Sequence, residues 1–165
     1  LVSYLGAALF RLIGDGTPVF RALGLPFAAG YLVATHAVAR VALGARLARI
    51  ALLFAAIPPA IPLAYSVKIG GYAETLCFGA LLLLLAVRLP DDAPGPHPRQ
   101  QGVLGGLGFL AGFGLYTFPL ILPHVMVTGG FLLTRRRLTL IRPGWLWVLA
   151  GFGAGLLPLI VNNVL

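Results

Sequence analysis

The stretch GWLWVLAGFGAGLLPLIV, residues 144–161, decides the fold class of this chain. It contains no charged residue over a length that can cross a hydrocarbon core of roughly 30 Å as an α-helix. Trp145 and Trp147 open the stretch, and tryptophan is enriched at membrane interfaces. The stretch therefore predicts a membrane-spanning helix.

The composition of the whole chain points the same way. Of its 165 residues, 59% are hydrophobic and 10% are charged, whereas soluble domains carry roughly 25% charged residues. Such hydrophobicity excludes intrinsic disorder. The single cysteine, Cys77, excludes a disulfide framework and a cysteine-rich metal site. We therefore expect an all-α integral membrane protein.

Further apolar blocks predict a polytopic helix bundle with about six spans, in a single membrane domain over residues 1–165. The first block, 1–13, is too short to cross a bilayer and predicts a short interfacial helix. Residues 90–101 hold four prolines and no apolar run, which is typical of an exposed linker. The predicted spans are residues 18–43, 50–66, 73–89, 102–117, 119–134 and 144–161.

The net charge of +8 predicts an orientation rather than a nucleic-acid partner, because the basic residues form short clusters between apolar blocks. When the predicted loops are assigned to alternate sides, one side collects nine of the twelve lysines and arginines. That side, with the 90–101 linker, is predicted to be cytoplasmic, in a cell inner (plasma) membrane. The nine are Arg40, Arg46, Arg49, Arg88, Arg99, Arg135, Arg136, Arg137 and Arg142.

Glycines spaced four residues apart predict close helix packing. The pairs are Gly102/Gly106, Gly108/Gly112 and Gly151/Gly155. A phosphate-binding loop is not indicated, because no Gly-Lys-Ser/Thr motif follows them.

Glu74 is the most informative of the four acidic residues. Asp15, Asp91 and Asp92 are interpreted as turn and linker charges. Glu74 is open to two interpretations. It is either a carboxylate in the first turn of a helix, where the helix dipole favours it, or a contact for a metal, a phosphate-bound cation or an acceptor hydroxyl. In the second case Lys68 neutralises a lipid phosphate, which the Gly70-Gly71 pair lets the backbone approach.

The remaining reactive side chains have no partners at suitable spacing. Neither His36 nor His124 has a second histidine or an acid at ligand spacing, so a histidine-based metal site is not indicated. Ser66 and Cys77 lack evident triad partners, so nucleophilic catalysis is weakly supported.

Four segments carry a family resemblance: AYSVKIGGYAETLCFGALLLLLAVRL (64–89), GFGLYTFPLILPHVMVTGGFLLTRRR (112–137), RPGWLWVLAGFGAGLLPLIVNNVL (142–165) and residues 1–60. Together they resemble the GT-C membrane glycosyltransferases of the family 39 type, which are similar to dolichyl-phosphate-mannose protein mannosyltransferases. Residues 64–89 resemble an outer loop and its following span, 112–137 and 142–165 resemble later spans, and 1–60 resemble the part after the first outer loop.

The resemblance implies transfer of a hexosyl or pentosyl group from a polyprenyl-phosphate carrier to an envelope glycan, lipid or protein on the outer face. It also implies a catalytic base on a loop upstream of Leu1, so that the chain is expected to be a fragment that is inactive alone. Glu74 inherits the role of a second acid, which helps to bind a divalent cation or the carrier phosphate. The substrate-binding residues implied beside it are Tyr65, Ser66, Lys68, Gly70, Gly71 and Tyr72.

Two other functions remain open. Proline-broken helices are typical of transporters, although no acid lies in the interior of a predicted span, since Glu74 is at the very start of the 73–89 span. A non-catalytic membrane subunit is the other alternative, in which the glycine-rich faces serve packing alone.

Overall fold

The computed structural model describes residues 2–14, 16, 19, 22–57, 71–89, 98–135 and 144–164. The regular structure in these residues is helical, which confirms the all-α prediction. Its elements are α1 (Val2–Ile13), α2 (Gly24–Leu43), α3 (Ala45–Ala56), α4 (Tyr72–Arg88), α5 (Pro98–Thr117), a 3-10 turn (Pro119–Ile121), α6 (Leu122–Arg135) and α7 (Gly144–Val164).

Two helices begin at residues other than the first residues of the predicted spans, and prolines explain both differences. α5 begins at Pro98, inside the predicted linker 90–101. Proline suits a first helical turn because its fixed φ is helical and its missing N–H has no partner there in any case. α2 begins at Gly24 rather than near residue 18, and Pro26 likewise falls in its first turn.

α3 lies earlier in the chain than the predicted span 50–66. It begins at Ala45 and ends at Ala56, and Ile57 has left the helical conformation with φ −112° and ψ 71°. The residue before a proline is disfavoured in the α conformation, so Pro58 accounts for this end. Residues 58–66 of the predicted span lie outside the described residues.

The chain divides into two compact units, residues 1–77 and 78–165, and α4 runs through the boundary. In the first unit, α2 and α3 form a helical hairpin around Gly44, whose φ of 85° favours glycine. His36 Nδ1 lies 3.2 Å from the carbonyl oxygen of Ala48. Because a carbonyl only accepts, Nδ1 carries the proton and donates it across the hairpin.

In the second unit, α5 and α7 pack through their glycines. A Cβ atom on Gly108 or Gly112 would overlap the α7 backbone, and one on Gly151 or Gly155 would overlap the α5 backbone. Two of the three predicted glycine pairs therefore form a close helix contact. Gly102 faces open space, so the pair that includes it does not belong to this contact.

Two described helices are long and apolar enough to cross a membrane, and they occupy residues 24–43 and 144–163. Only 11% of the residues in the apolar stretch of each helix are buried, whereas the core helix of a soluble protein is mostly buried. Four of their large apolar side chains, Leu25, Val33, Leu146 and Leu149, are between 62% and 69% exposed.

The remaining predicted spans are not confirmed. α3, α4 and α6 have 12, 17 and 14 residues, and at 1.5 Å per residue each is shorter than a hydrocarbon core of about 30 Å. α5 has 20 residues, which is long enough, but it is not apolar enough to be a candidate span.

Candidate functional site

The candidate site begins at the N-terminus of α4, which Gly71 and Thr75 define. Gly71 has a φ of 97°, a conformation that favours glycine. Its carbonyl oxygen accepts two hydrogen bonds from Thr75, from the backbone N at 3.1 Å and from Oγ1 at 2.6 Å. The threonine hydroxyl therefore has its partner within the helix, and the start of α4 is fixed.

Glu74 lies in the first turn of α4 and is only 3% exposed. The location agrees with the first-turn interpretation, since a carboxylate there meets the positive end of the helix dipole. That dipole offsets only part of the cost of removing a carboxylate from water. Glu74 is the only acidic residue in the described part of the chain, so its burial is the most unusual electrostatic feature of that part.

The face of α4 that carries Glu74 is tightly packed within the first unit. Cys77 follows Glu74 by almost one turn and is 6% exposed. A Cβ atom built on Gly30 of α2 would lie 2.8 Å from Cys77 Sγ. This close approach brings the first turns of α4 next to α2.

The other predicted site residues divide into two groups. Gly71 is buried and Tyr72 is half-buried, and both adjoin Glu74 at the start of α4. Tyr65, Ser66, Lys68 and Gly70 lie outside the described residues, so their predicted roles stay predictions.

The described residues do not assemble a metal site. No group of three or more histidine, cysteine, aspartate or glutamate side chains within them could hold a metal ion. Glu74 alone supplies too few ligands for a divalent cation. The divalent cation implied by the family resemblance therefore stays a prediction.

A second polar feature, which the sequence did not reveal, lies on α6 in the second unit. The His124 ring packs directly on Gly79 of α4, so that a Cβ atom there would overlap it. His124 Nδ1 and Thr128 Oγ1 are both buried without a hydrogen-bond partner among the described residues. They are four residues apart and thus share one face of α6. In the sequence, this buried polar pair is indicated by the four-residue spacing of the two side chains and by a glycine in α4 that leaves room for one of them.

The unpartnered hydroxyl of Thr128 gives a stability prediction. Thr128→Val keeps the side-chain shape and removes a buried group whose desolvation is uncompensated, so we expect it to stabilise the protein by about 1 kcal/mol. The midpoint of thermal unfolding in detergent measures the change. Thr134→Val is the matched control on the same helix, because the exposed Thr134 Oγ1 donates to Phe131 O at 3.0 Å. A loss of stability in Thr128→Val would contradict the prediction.

Comparison with protein-family models, with curated proteins and with solved structures finds no match for this chain.

Proposed function

We propose that this chain is part of an integral membrane glycosyltransferase that uses a polyprenyl-phosphate-linked sugar as its donor. The observation that carries the proposal is the buried carboxylate of Glu74 in a chain with four acidic residues. Ionisable groups inside membrane proteins are costly and most often serve a function. The sequence resemblance of residues 64–89 supplies the reaction class.

Membrane location is the first part of the proposal. α2 and α7 are the candidate spans, and their apolar side chains are exposed. Exposed apolar area costs about 25 cal/mol per Å² in water and nothing comparable in lipid. The proposal extends this location to about six spans, with the basic loops in the cytoplasm.

In the reaction, an acceptor hydroxyl attacks the anomeric carbon of the donor sugar. The new glycosidic bond forms as the bond from that carbon to the phosphate oxygen breaks, and the electron pair leaves with the polyprenyl phosphate. A general base takes the hydroxyl proton. Glu74 accepts a hydrogen bond from a hydroxyl of the bound substrates and orients it, and Lys68 pairs with the leaving phosphate.

The test is a transfer assay on membranes that contain the full-length gene product. Radiolabelled polyprenyl-phosphate hexoses and pentoses serve as donors, and the membrane fraction supplies acceptors. We expect label to move to an acceptor, with release of polyprenyl phosphate, only when the protein is present. Uptake of substrate into sealed vesicles without transfer would instead indicate a transporter. The absence of both activities would indicate a non-catalytic subunit.

A further inference from the structure

Positive charge is concentrated at the turn between α2 and α3. Arg40 lies in the last turn of α2, and Arg46 and Arg49 lie near the start of α3. All three side chains are exposed, and we call them the arginine turn. No acidic residue occurs from residue 16 to residue 73, so the sequence of this hairpin supplies no carboxylate to neutralise them.

The hairpin geometry brings the three arginines to one end of the helix pair. His36 of α2 donates its hydrogen bond to Ala48 of α3, so this face of α2 is turned towards α3. Arg40 follows His36 by four residues and therefore lies on the same face. Arg40 is therefore at the end of α2 that adjoins the first turn of α3, which carries Arg46 and Arg49.

The exposed side of α3 changes from basic to apolar along its length. Beyond the two arginines come Leu53 and Phe54, and Ile57 follows directly after the helix end; they are 63%, 78% and 77% exposed. Arg46 and Phe54 are separated by roughly 12 Å along the helix axis, from a rise of 1.5 Å per residue. This order matches a helix whose first turn lies among lipid headgroups and whose later turns contact acyl chains.

We propose that the arginine turn binds the phosphate groups of anionic phospholipids in the leaflet where the α2–α3 turn emerges. Guanidinium groups bind phosphate oxygens through paired, charge-assisted hydrogen bonds. The adjoining apolar side chains of α3 contact the acyl chains of the same lipids. The proposal rests on the membrane location in the proposed function and is independent of glycosyl transfer.

Lipid retention by the purified full-length protein tests this inference. The protein is incubated with phosphatidylglycerol, phosphatidylcholine and polyprenyl phosphate in equal amounts, and retained lipids are counted by native mass spectrometry. We expect at least a tenfold preference for phosphatidylglycerol over phosphatidylcholine. The variant R40Q/R46Q/R49Q should reduce it to within about twofold, since each basic residue near an anionic surface contributes about fivefold.

Two variants serve as controls. R40K/R46K/R49K keeps the charge without the paired hydrogen bonds and should lower the preference less than the glutamine variant does. R11Q/R21Q removes two positive charges from the side predicted to lie opposite the arginine turn and should leave the preference intact. Should the glutamine triple variant fail to fold, the single variants R40Q, R46Q and R49Q are each expected to lower the preference by about fivefold.

Three results would overturn the inference. The first is an unchanged preference in the glutamine variants, and the second is an equal loss in the R11Q/R21Q control. The third is a loss of bound polyprenyl phosphate, rather than of phosphatidylglycerol, in the glutamine triple variant, which would assign the arginine turn to the donor. Release of the wild-type protein from membranes by alkaline carbonate would contradict the membrane location itself. A negative transfer assay with intact lipid preference would contradict only the proposed enzyme.

Discussion

Gly108→Ala is expected to destabilise the protein by about 3 kcal/mol, at the upper end of the usual cost of overpacking. The new Cβ atom would overlap the carbonyl oxygen of Val148 and lie 2.8 Å from the backbone nitrogen of Phe152. Both neighbours are backbone atoms of α7, so they cannot move aside as a flexible side chain does. Relief requires that α5 and α7 separate, and their packing is lost along the whole contact.

Unfolding in detergent, followed by tryptophan fluorescence, measures this loss. Trp145 and Trp147 are the only tryptophans in the sequence and both lie on α7, so their emission reports when α7 leaves its contact with α5. Gly153→Ala is the matched control on α7, because nothing lies within 4 Å of the Cβ position there. Alanine is the better helix former by about 1 kcal/mol, so this control should be neutral or stabilising. Equal destabilisation by both substitutions would show that the overlap is not the cause.

Glu74→Gln is expected to lower the rate of the proposed glycosyl transfer by at least about 100-fold, which is the usual loss when a preorganised polar contact to the reacting groups is removed. Glutamine keeps the size and planar shape of the side chain but not the charge. Because the buried carboxylate no longer has to be desolvated, stability should stay the same or rise. Transfer assays and thermal unfolding of the full-length protein separate the two effects.

Asp91→Asn is the control for Glu74→Gln. The substitution removes one negative charge from the predicted linker and should leave transfer unchanged. Full transfer activity in Glu74→Gln would remove Glu74 from the site. Loss of both activity and thermal stability would assign Glu74 a structural role at the start of α4.

Much of the helical architecture could be predicted because apolar blocks separated by Gly, Pro and charges are a local signal. The starts of α2 and α5 could not be predicted, because the effect of proline on a helix depends on its position in that helix. Within a helix it breaks hydrogen bonds, but in a first turn it costs nothing. Pro98 therefore begins a helix in a segment whose composition is typical of a loop.

The sequence predicts that glycines spaced four residues apart pack helices together, but it does not predict which of these glycines do so. Spacing alone cannot distinguish Gly108 and Gly112, which meet the backbone of α7, from Gly102, which meets nothing. That choice depends on how each helix is rotated about its own axis, which is a property of the packed unit.

The candidate site was predictable only as far as the position of Glu74 at a helix start. Its burial depends on neighbours distant in sequence, such as the α2 segment that approaches α4 at Gly30. The burial of the pair on α6, His124 and Thr128, was not predictable for a similar reason. Only the packing shows that the Thr128 hydroxyl has been removed from water.

The glycine contact between α5 and α7 can form only after both helices have been synthesised. Gly108 is synthesised roughly 40 residues before Gly151, which corresponds to roughly 2–9 seconds at usual rates of translation. During that interval the small-residue face of α5 has no α7 to pack against. It is then open to pairing with the small-residue faces of other helices.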